Sequence, residues 1–231
     1  MDGGIDIWYN TKRGDYMRDF PVFTTENGVA SLMLREVPYR GEAYVTLRAS
    51  EAPEKLLREC VAFCKVVGAE KIYATGNNCL ERFPLHTAIW RMRQLKENIP
   101  ETDAALFPVT ESTLQRWCTL YNERMRDVPN AATMTREDGK KLLKRGKAYF
   151  VHRGETLLGI GIADGETIEA VISVQRGSGM EVMQALCSAI FTPTVQLEVA
   201  SANEKALKLY EKMGFIKTEE ISRWFDVKNF V

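Results

Sequence analysis

The same order of predicted elements occurs twice along this chain of 231 residues. In the second half, KAYFVHRG, ETLLGIGIAD and TIEAVISV have the composition of β-strands, GSGMEVMQALCSAI has the apolar spacing of a helix, and TVQLEVAS is a further strand. In the first half, two β-rich runs meet at Glu26-Asn27-Gly28, and GEAYVTLRAS, EAPEKLLRECVAFCKVVGAE and KIYATG add a strand, a helix and a strand. This order predicts an α/β fold and indicates a diverged internal duplication. A chance likeness between two α/β stretches is the alternative.

A polar connector, ENIPETDA at residues 97–104, is the best candidate for a domain boundary, because Pro100 and its polar neighbours interrupt the periodic runs. The chain therefore divides into predicted domains of residues 1–100 and 101–231. After the connector, ALFPV is predicted as a strand. Two helices follow it, the first beginning near Thr110 and the second ending at Gly146.

The charge balance argues against a polyanion as the main partner. Lys plus Arg and Asp plus Glu number 31 each, so no overall field favours nucleic acid or an anionic membrane. No apolar run approaches the roughly 18 residues of a membrane span, and the first 20 residues show no signal-peptide pattern. We therefore expect a cytoplasmic protein, a monomer or homodimer, without nucleic-acid or membrane partners.

The cysteines predict reduced, structural thiols. Five are present, an odd number without framework spacing: Cys60, Cys64, Cys79, Cys118 and Cys187. Cys60 and Cys64 share a helix face and suggest a zinc site with Cys79 and His86 as the alternative. No CxxC pair is present, and a buried cysteine behaves as a small hydrophobe, so we expect no metal.

A glycine-rich turn joins the strand TIEAVISV to the helix that follows it. In Gln175-Arg176-Gly177-Ser178-Gly179, the glycines let the backbone approach an anion, the helix N-terminus adds favourable potential, and Arg176 adds a full positive charge. A pyrophosphate is the natural ligand, although such turns often serve only to pack a helix. The turn fits neither the dinucleotide fingerprint GxGxxG nor the Walker pattern.

The segment NEKALKLYEKMGF, residues 203–215, decides whether the glycine-rich turn binds a pyrophosphate or only packs a helix. It resembles the signature of the GNAT superfamily of N-acetyltransferases, and residues 176–179 resemble the pyrophosphate loop of that family at the expected distance upstream. The resemblance covers residues 105–231 and is strongest over 167–215. It implies a mixed sheet (α/β, or α+β) with a splay between the strand ending near Val174 and the strand of residues 194–199. The first half then resembles a degenerate copy of the same fold, in tandem with an intact C-terminal unit.

The resemblance also implies which residues hold acetyl-CoA. Backbone groups of Ile172, Ser173 and Val174 would meet the pantetheine and the acyl group. Asn203 would hydrogen-bond the pantetheine, Ala206 would lie close to the cofactor, and Tyr210 would protonate the departing thiolate. A helix aromatic that only packs on the sheet is the alternative for Tyr210. The residues that would take the pyrophosphate are Arg176, Gly177, Ser178, Gly179 and Met180.

Two departures from the family pattern concern this loop. Glu181 follows Gly179-Met180, and a carboxylate near a pyrophosphate costs electrostatic energy unless it points away. The turn after Val174 is also shorter than usual. The equivalent turn of the first half, residues 50–54, has no glycine and carries acids, so it should repel a pyrophosphate.

A general base is harder to assign. The family often uses a glutamate on the strand leading to the loop, and Glu169 is the candidate, ahead of Glu166 and Asp164. A solvated strand carboxylate is the alternative for each. His152 is expected on the outer face of its strand.

These residues predict an acetyl-CoA-dependent N-acyltransferase that transfers an acetyl group to a primary amine of a small molecule or protein by direct attack. A non-catalytic acyl-CoA binding or sensing module is the first alternative. A structural interaction protein without a cofactor is the second.

Overall fold

The structure, a computed structural model, describes residues 21–230. Expectations about residues 1–20, including the start of the first predicted strand at Asp19 and Phe20, lie outside the described residues. Eleven strands and six α-helices are formed by the described residues. The strands are β1 Val22–Thr25, β2 Gly28–Met33, β3 Glu42–Ala49, β4 Lys71–Thr75, β5 Leu85–Leu95, β6 Ala105–Pro108, β7 Ala148–Arg153, β8 Thr156–Asp164, β9 Thr167–Ser173, β10 Thr194–Ala200 and β11 Ile216–Asp226. The helices are α1 Val37–Arg40, α2 Pro53–Val66, α3 Glu111–Met125, α4 Arg136–Arg145, α5 Gly179–Ser188 and α6 Glu204–Lys212.

Two compact units are present, and their bounds differ from those predicted. Among the described residues, the larger unit is Trp90–Glu219, and the smaller unit joins residues 21–89 with residues 220–230. The end of the chain belongs to the smaller unit. The division falls within two strands, because β5 and β11 each supply residues to both units. The sequence predicts no element over the residues of β5, and its polar connector predicts a boundary after them.

The larger unit has the strand order β5-β10-β9-β8-β7-β6. The pairs β6–β7, β7–β8 and β8–β9 are antiparallel, whereas β9 and β10, which α5 connects, are parallel. The predicted strands and helices of this half are confirmed, including α3 with its capping residue Thr110 and α4, which ends at Gly146 in the left-handed conformation.

The smaller unit repeats this arrangement. Strands β1, β2 and β3 are antiparallel neighbours, and β4, which follows α2, pairs with β3 in parallel. Helix α2 begins at Pro53 and buries most of the face predicted from its spacing, namely Leu56, Leu57, Val61 and Cys64. Val67, also predicted on this face, follows the last residue of the helix and is exposed. The predicted order of strand, strand, strand, helix and strand is therefore confirmed in both units.

Small residues on β8 set how closely α5 packs on the sheet of the larger unit. A Cβ on Gly161 would lie 2.3 Å from Leu186 Cδ1 of α5 and 2.6 Å from the carbonyl oxygen of Ala170. A Cβ on Gly159 would lie 2.6 Å from Val182 of α5. Leu186 and Val182 are fully buried in the core between α5 and the strands. The two glycines of the GIG sequence in β8 therefore allow α5 to pack closely on the sheet.

Among residues 21–230, no helix is long and apolar enough to cross a membrane. Four of the five cysteines are buried, and Cys79 is partly exposed. His86 stacks on Tyr73 with ring centroids 3.8 Å apart, which gives it a packing role in the smaller unit.

Candidate functional site

Strands β9 and β10 separate soon after they meet. They pair in parallel at the start of β9, where Gln196 lies opposite Thr167 and Leu197 lies opposite Ile168. Past these pairs, both strands continue, β9 to Ser173 and β10 to Ala200. Glu169 is the extra residue of a β-bulge, because its neighbours Ile168 and Ala170 pair with consecutive residues of β8. A bulge bends its strand, so it accounts for the predicted splay, which the structure confirms.

The edge of β9 that borders this gap is defined by its pairing with β8. Val174 donates its N–H to the carbonyl oxygen of Leu158 over 2.9 Å, which makes that pair hydrogen-bonded. Such pairs alternate with non-hydrogen-bonded pairs in an antiparallel ladder, and the register continues unbroken to Val171. The N–H of Val174 and both backbone groups of Ile172 therefore face β8. Those of Ser173 and Val171 face the gap.

This alternation narrows the predicted backbone contacts. Of Ile172, Ser173 and Val174, only Ser173 presents its N–H and carbonyl to the gap, and Val171 is the residue that sequence reasoning missed. The period of two along a strand could have identified Val171 once the turn fixed one position. The carbonyl oxygen of Val174 instead accepts a hydrogen bond from Arg124 Nη2 of α3 over 3.0 Å.

The turn after β9 has the geometry of an anion cradle. Gly177 has φ +87°, and a Cβ there would meet no atom within 4 Å, so the backbone of the turn lies open. The first backbone hydrogen bond of α5 is donated by the N–H of Val182 to the carbonyl oxygen of Ser178. The preceding N–H groups, of Gly179, Met180 and Glu181, are the donors that a helix N-terminus leaves for a ligand or solvent.

Two side chains of the turn behave differently. Arg176 is exposed and forms no ion pair with any residue of 21–230. Ser178 is buried and donates its hydroxyl to Leu158 O at 2.7 Å or Gln175 O at 2.8 Å, and its N–H also contacts Gln175 O. Ser178 thus fixes the shape of the turn, and its predicted contact with a pyrophosphate stays a prediction.

Glu181 does not stand as an unpaired charge beside the turn. Its Oε2 lies 2.8 Å from Nη1 of Arg153, at the end of β7. This ion pair directs the carboxylate toward a cation of its own and offsets its charge. The departure noted in the sequence is therefore compensated in the structure.

The residues predicted on the second side of the gap lie at and after the end of β10. Asn203 is the N-cap of α6, and its Oδ1 accepts the N–H of Ala206 over 3.3 Å. That contact occupies the carbonyl of the Asn203 side chain and leaves its NH₂ group as the donor for a ligand. Ala206 is partly buried against the core of the larger unit.

Tyr210 lies on the buried face of α6. Its ring is 6.2 Å from that of Phe215, centroid to centroid, and 8% of the residue is exposed. Burial raises the pKa of Tyr210, and the nearby Cys187 raises it further. The phenol is therefore protonated at neutral pH, which is the form that a general acid needs.

Glu169 is held by an arginine. Arg145, at the end of α4, places Nη2 at 2.6 Å from Glu169 Oε1 and Nη1 at 3.5 Å from Oε2. The same Nη2 lies 2.6 Å from Asp164 Oδ2. Burial raises the pKa of Glu169, and Arg145 offsets part of that rise by favouring the carboxylate.

If Glu169 acts as the base, its carboxylate must accept a proton while it is paired with Arg145. Glu166 is exposed, and Asp164 belongs to the same ion-pair group. His152 lies edge-on to Phe107 with ring centroids 5.3 Å apart, as an aromatic neighbour on β7 and β6.

The corresponding region of the smaller unit is closed. Strands β3 and β4 stay paired from Glu42 with Lys71 to Thr46 with Thr75, so no splay forms between them. At the end of β3, a Cβ on Gly28 would lie 2.3 Å from Ala49 O, because the β1–β2 turn packs there. The smaller unit therefore has no counterpart, within the described residues, of the gap between β9 and β10.

Solved structures of the same fold match most of the chain. A GCN5-related N-acetyltransferase from Sphaerobacter thermophilus has a TM-score of 0.53 and 13% identity, covering 88% of this chain and 78% of that chain. An acetyltransferase of the GNAT family from Colwellia psychrerythraea has a TM-score of 0.51 and 12% identity, covering 89% and 84%. A tandem GNAT protein from the clavulanic acid biosynthesis pathway has a TM-score of 0.52 and 13% identity, covering 87% and 78%. No protein-family model matches the chain, and no curated protein matches it.

Proposed function

From the GNAT fold that the chain shares with these structures, we propose that it is an acetyl-CoA-dependent N-acyltransferase whose acceptor is a primary amine of a small molecule or protein. The observation that carries this proposal is the gap between β9 and β10, with Ser173 presenting its backbone to the gap and an anion cradle at the end of β9. A gap of this kind leaves a strand edge for a ligand to pair with, as another strand would.

The residues of the larger unit fit the cofactor. Gly177 and the first N–H groups of α5 would hold the pyrophosphate together with Arg176, and the ion pair of Glu181 with Arg153 removes the repulsion expected from the sequence. Ser173 would pair with the pantetheine along the edge of β9, and the Nδ2 of Asn203 would donate to it from the other side. When bound, acetyl-CoA supplies a thioester whose carbonyl carbon an amine can attack.

The chain's own residues would orient the reactants and supply a proton. The N–H of Ser173 faces the gap and would polarise a carbonyl placed there, which is most effective away from water. Tyr210 holds its hydroxyl proton because burial raises its pKa, and it would protonate the leaving sulfur. Glu169 is the proposed base, and proton uptake there requires that Arg145 leave one carboxylate oxygen accessible.

One observation favours a second candidate function. Both oxygens of Glu169 face the guanidinium of Arg145, at 2.6 and 3.5 Å. Because both oxygens face the guanidinium, the carboxylate is less accessible to a substrate amine, which is compatible with a module that binds acyl-CoA without transferring the acyl group.

Calorimetry with acetyl-CoA, followed by thiol release with a broad panel of amines, tests the proposal. We expect saturable binding and thiol release with at least one amine. Gly179→Val is a matched loop variant, because a Cβ there would lie 3.1 Å from Ser173 Oγ and 3.3 Å from Leu209 Cδ2. It should weaken binding. Absence of binding heat at high protein concentration would refute both candidates, and binding without transfer to any amine would favour the second.

A further inference from the structure

Asn130 has a buried side-chain amide without a partner. It lies in the loop of residues 126–135 between α3 and α4, and 4% of the residue is exposed. Both Nδ2 and Oδ1 are buried and form no hydrogen bond. Among the described residues, no other buried side chain leaves both a donor and an acceptor unpaired. Buried amide groups are normally hydrogen-bonded, because losing water without a replacement costs free energy.

Backbone conformation alone does not explain an asparagine here. Asn130 has φ +58°, the one positive φ outside glycine in the part of the chain that the structure describes. Asparagine tolerates this region partly because its side chain can hydrogen-bond locally, and Asn130 makes no such bond. Glycine would meet the conformational demand without burying an amide. The buried amide therefore points to a role beyond the turn.

The loop is fastened over the face of β9. Asn122 of α3 accepts the N–H of Met134 at 2.7 Å and donates to its carbonyl oxygen at 3.0 Å. Met134 packs in the same core cluster as Ile172 of β9. Just before the loop, in the last turn of α3, Arg124 donates to Val174 O at the end of β9. These contacts hold the loop beside the strand whose edge borders the gap.

We propose that Asn130 binds a secondary amide group of a ligand, with Nδ2 donating to the ligand's carbonyl oxygen and Oδ1 accepting from its N–H. An amide side chain offers one donor group and one acceptor, and a secondary amide is the common group that satisfies both at once. A carboxylate offers acceptors only, and an ammonium group offers donors only. The location beside the gap rests on the proposed function.

Two ligands would bring this chemistry to the loop. One is a peptide acceptor, through the backbone amide next to its free amine. The other is the pantetheine arm of the acyl donor, which contains secondary amides. Both ligands would make the same two hydrogen bonds with Asn130, so the experiment tests each ligand in a separate titration.

Nuclear magnetic resonance of the full ¹⁵N-labelled chain tests the proposal by following the side-chain NH₂ signal of Asn130, identified by its loss in Asn130→Asp. In the first arm, an alanine dipeptide amide is titrated and free alanine is its matched control. In the second arm, pantetheine is titrated and adenosine 3′,5′-bisphosphate, which contains no amide, is its control. We expect a saturable shift of the Asn130 signal in at least one arm and none with the controls.

Substitution adds a second measurement. Asn130→Asp keeps the size and the tolerance for positive φ but replaces the donor, so the affinity for the ligand that moved the signal should fall about tenfold. Asn130→Gly preserves the conformation and should lower the affinity as well, which covers the case in which the aspartate variant does not fold. The exposed Asn78→Asp in the smaller unit is the matched control and should leave the affinity unchanged.

The outcomes separate this inference from the proposed function. If acetyl-CoA binds but neither arm moves the Asn130 signal, the inference is wrong and the proposed function stands. If acetyl-CoA does not bind and the dipeptide amide moves the signal, the proposed function is wrong and the inference stands for a peptide ligand. Unchanged affinity in both Asn130 variants would overturn the inference, since the amide then pairs only with water.

Discussion

Arg145 donates to Glu169 across 2.6 Å, from the end of a helix to the bulged residue of β9. Removing the guanidinium should raise the pKa of Glu169 further, because burial then acts without an opposing charge. If Glu169 is the base, Arg145→Gln moves the acidic limb of the kcat/KM profile to higher pH with a responsive amine. Lys147→Gln is the control, since Lys147 lies 3.8 Å from Asp164 and is not paired with Glu169. A limb that stays in place in Arg145→Gln would show that Glu169 is not the base.

The carboxyl group of Glu169 should make the stability of the folded chain depend on pH. Its pKa in the folded protein lies above the ordinary value, so the folded chain binds a proton that the unfolded chain does not. The resulting stabilisation is full below the unfolded pKa of about 4.3 and is lost as pH rises through the folded pKa. Wild type should therefore gain Tm relative to Glu169→Gln as pH falls from neutral toward that value. Thermal unfolding of both proteins across this range measures the difference, and a constant difference would contradict the raised pKa.

Tyr210→Phe tests the proton donor. General acid groups contribute roughly 100-fold or more to a rate, so kcat should fall by about that factor while the affinity for acetyl-CoA is kept. Because burial raises the pKa of Tyr210, wild type should show no loss of activity from its ionisation below about pH 10, the ordinary phenol value. The exposed Tyr39→Phe serves as the control. Equal turnover of Tyr210→Phe and wild type at every pH would remove Tyr210 from the mechanism.

Arg153→Ala should weaken acetyl-CoA binding without unfolding the chain. The substitution releases Glu181, whose carboxylate then repels the pyrophosphate from the first turn of α5. Because ion pairs near the surface contribute about 0–1 kcal/mol, Tm should change little. We expect the Kd to rise a few-fold at low salt and less at high salt. The double variant Arg153→Ala, Glu181→Gln should restore binding, and failure to do so would show that Arg153 acts in another way.

Gly161→Ala should destabilise the larger unit. The added methyl group would lie 2.6 Å from the carbonyl oxygen of Ala170, which is backbone and cannot rotate away. Overpacking of this kind costs about 1–3 kcal/mol, measured as a lower midpoint in urea unfolding. Gly165→Ala is the comparison, because its Cβ would meet no atom within 4 Å and the cost there is only that of its φ of +60°. Equal losses in the two variants would mean that α5 can move away from β8.

Several features of the larger unit could be predicted because their signals are local. The turn at Gly177 and the left-handed end of α4 at Gly146 depend on residues a few positions apart, and each forms where the sequence predicts. Helical and strand periodicity likewise gave the order of elements in both units. The GNAT fold followed from the segment of residues 203–215 read with that order.

The partners of charged side chains were not predictable, because they join distant positions. Glu181 meets Arg153 across 28 residues, and Glu169 meets Arg145 across 24. Neither pairing has a sequence signal, since any surface charge of opposite sign could have served. Two further features likewise depend on contacts made only after the chain has folded. They are the placement of the end of β11 in the smaller unit and the burial of the Asn130 amide.

The sequence by itself determined the order of elements, the glycine turn and the residues that resemble an acyl-CoA site, because backbone preferences and periodicity act over short distances. Only the tertiary structure showed that the pairing of β9 with β10 ends beside a bulge and that β3 and β4 stay paired. The physical reason is that pairing between parallel strands is set by how two distant segments meet, and the bulge at Glu169 turns one of them away.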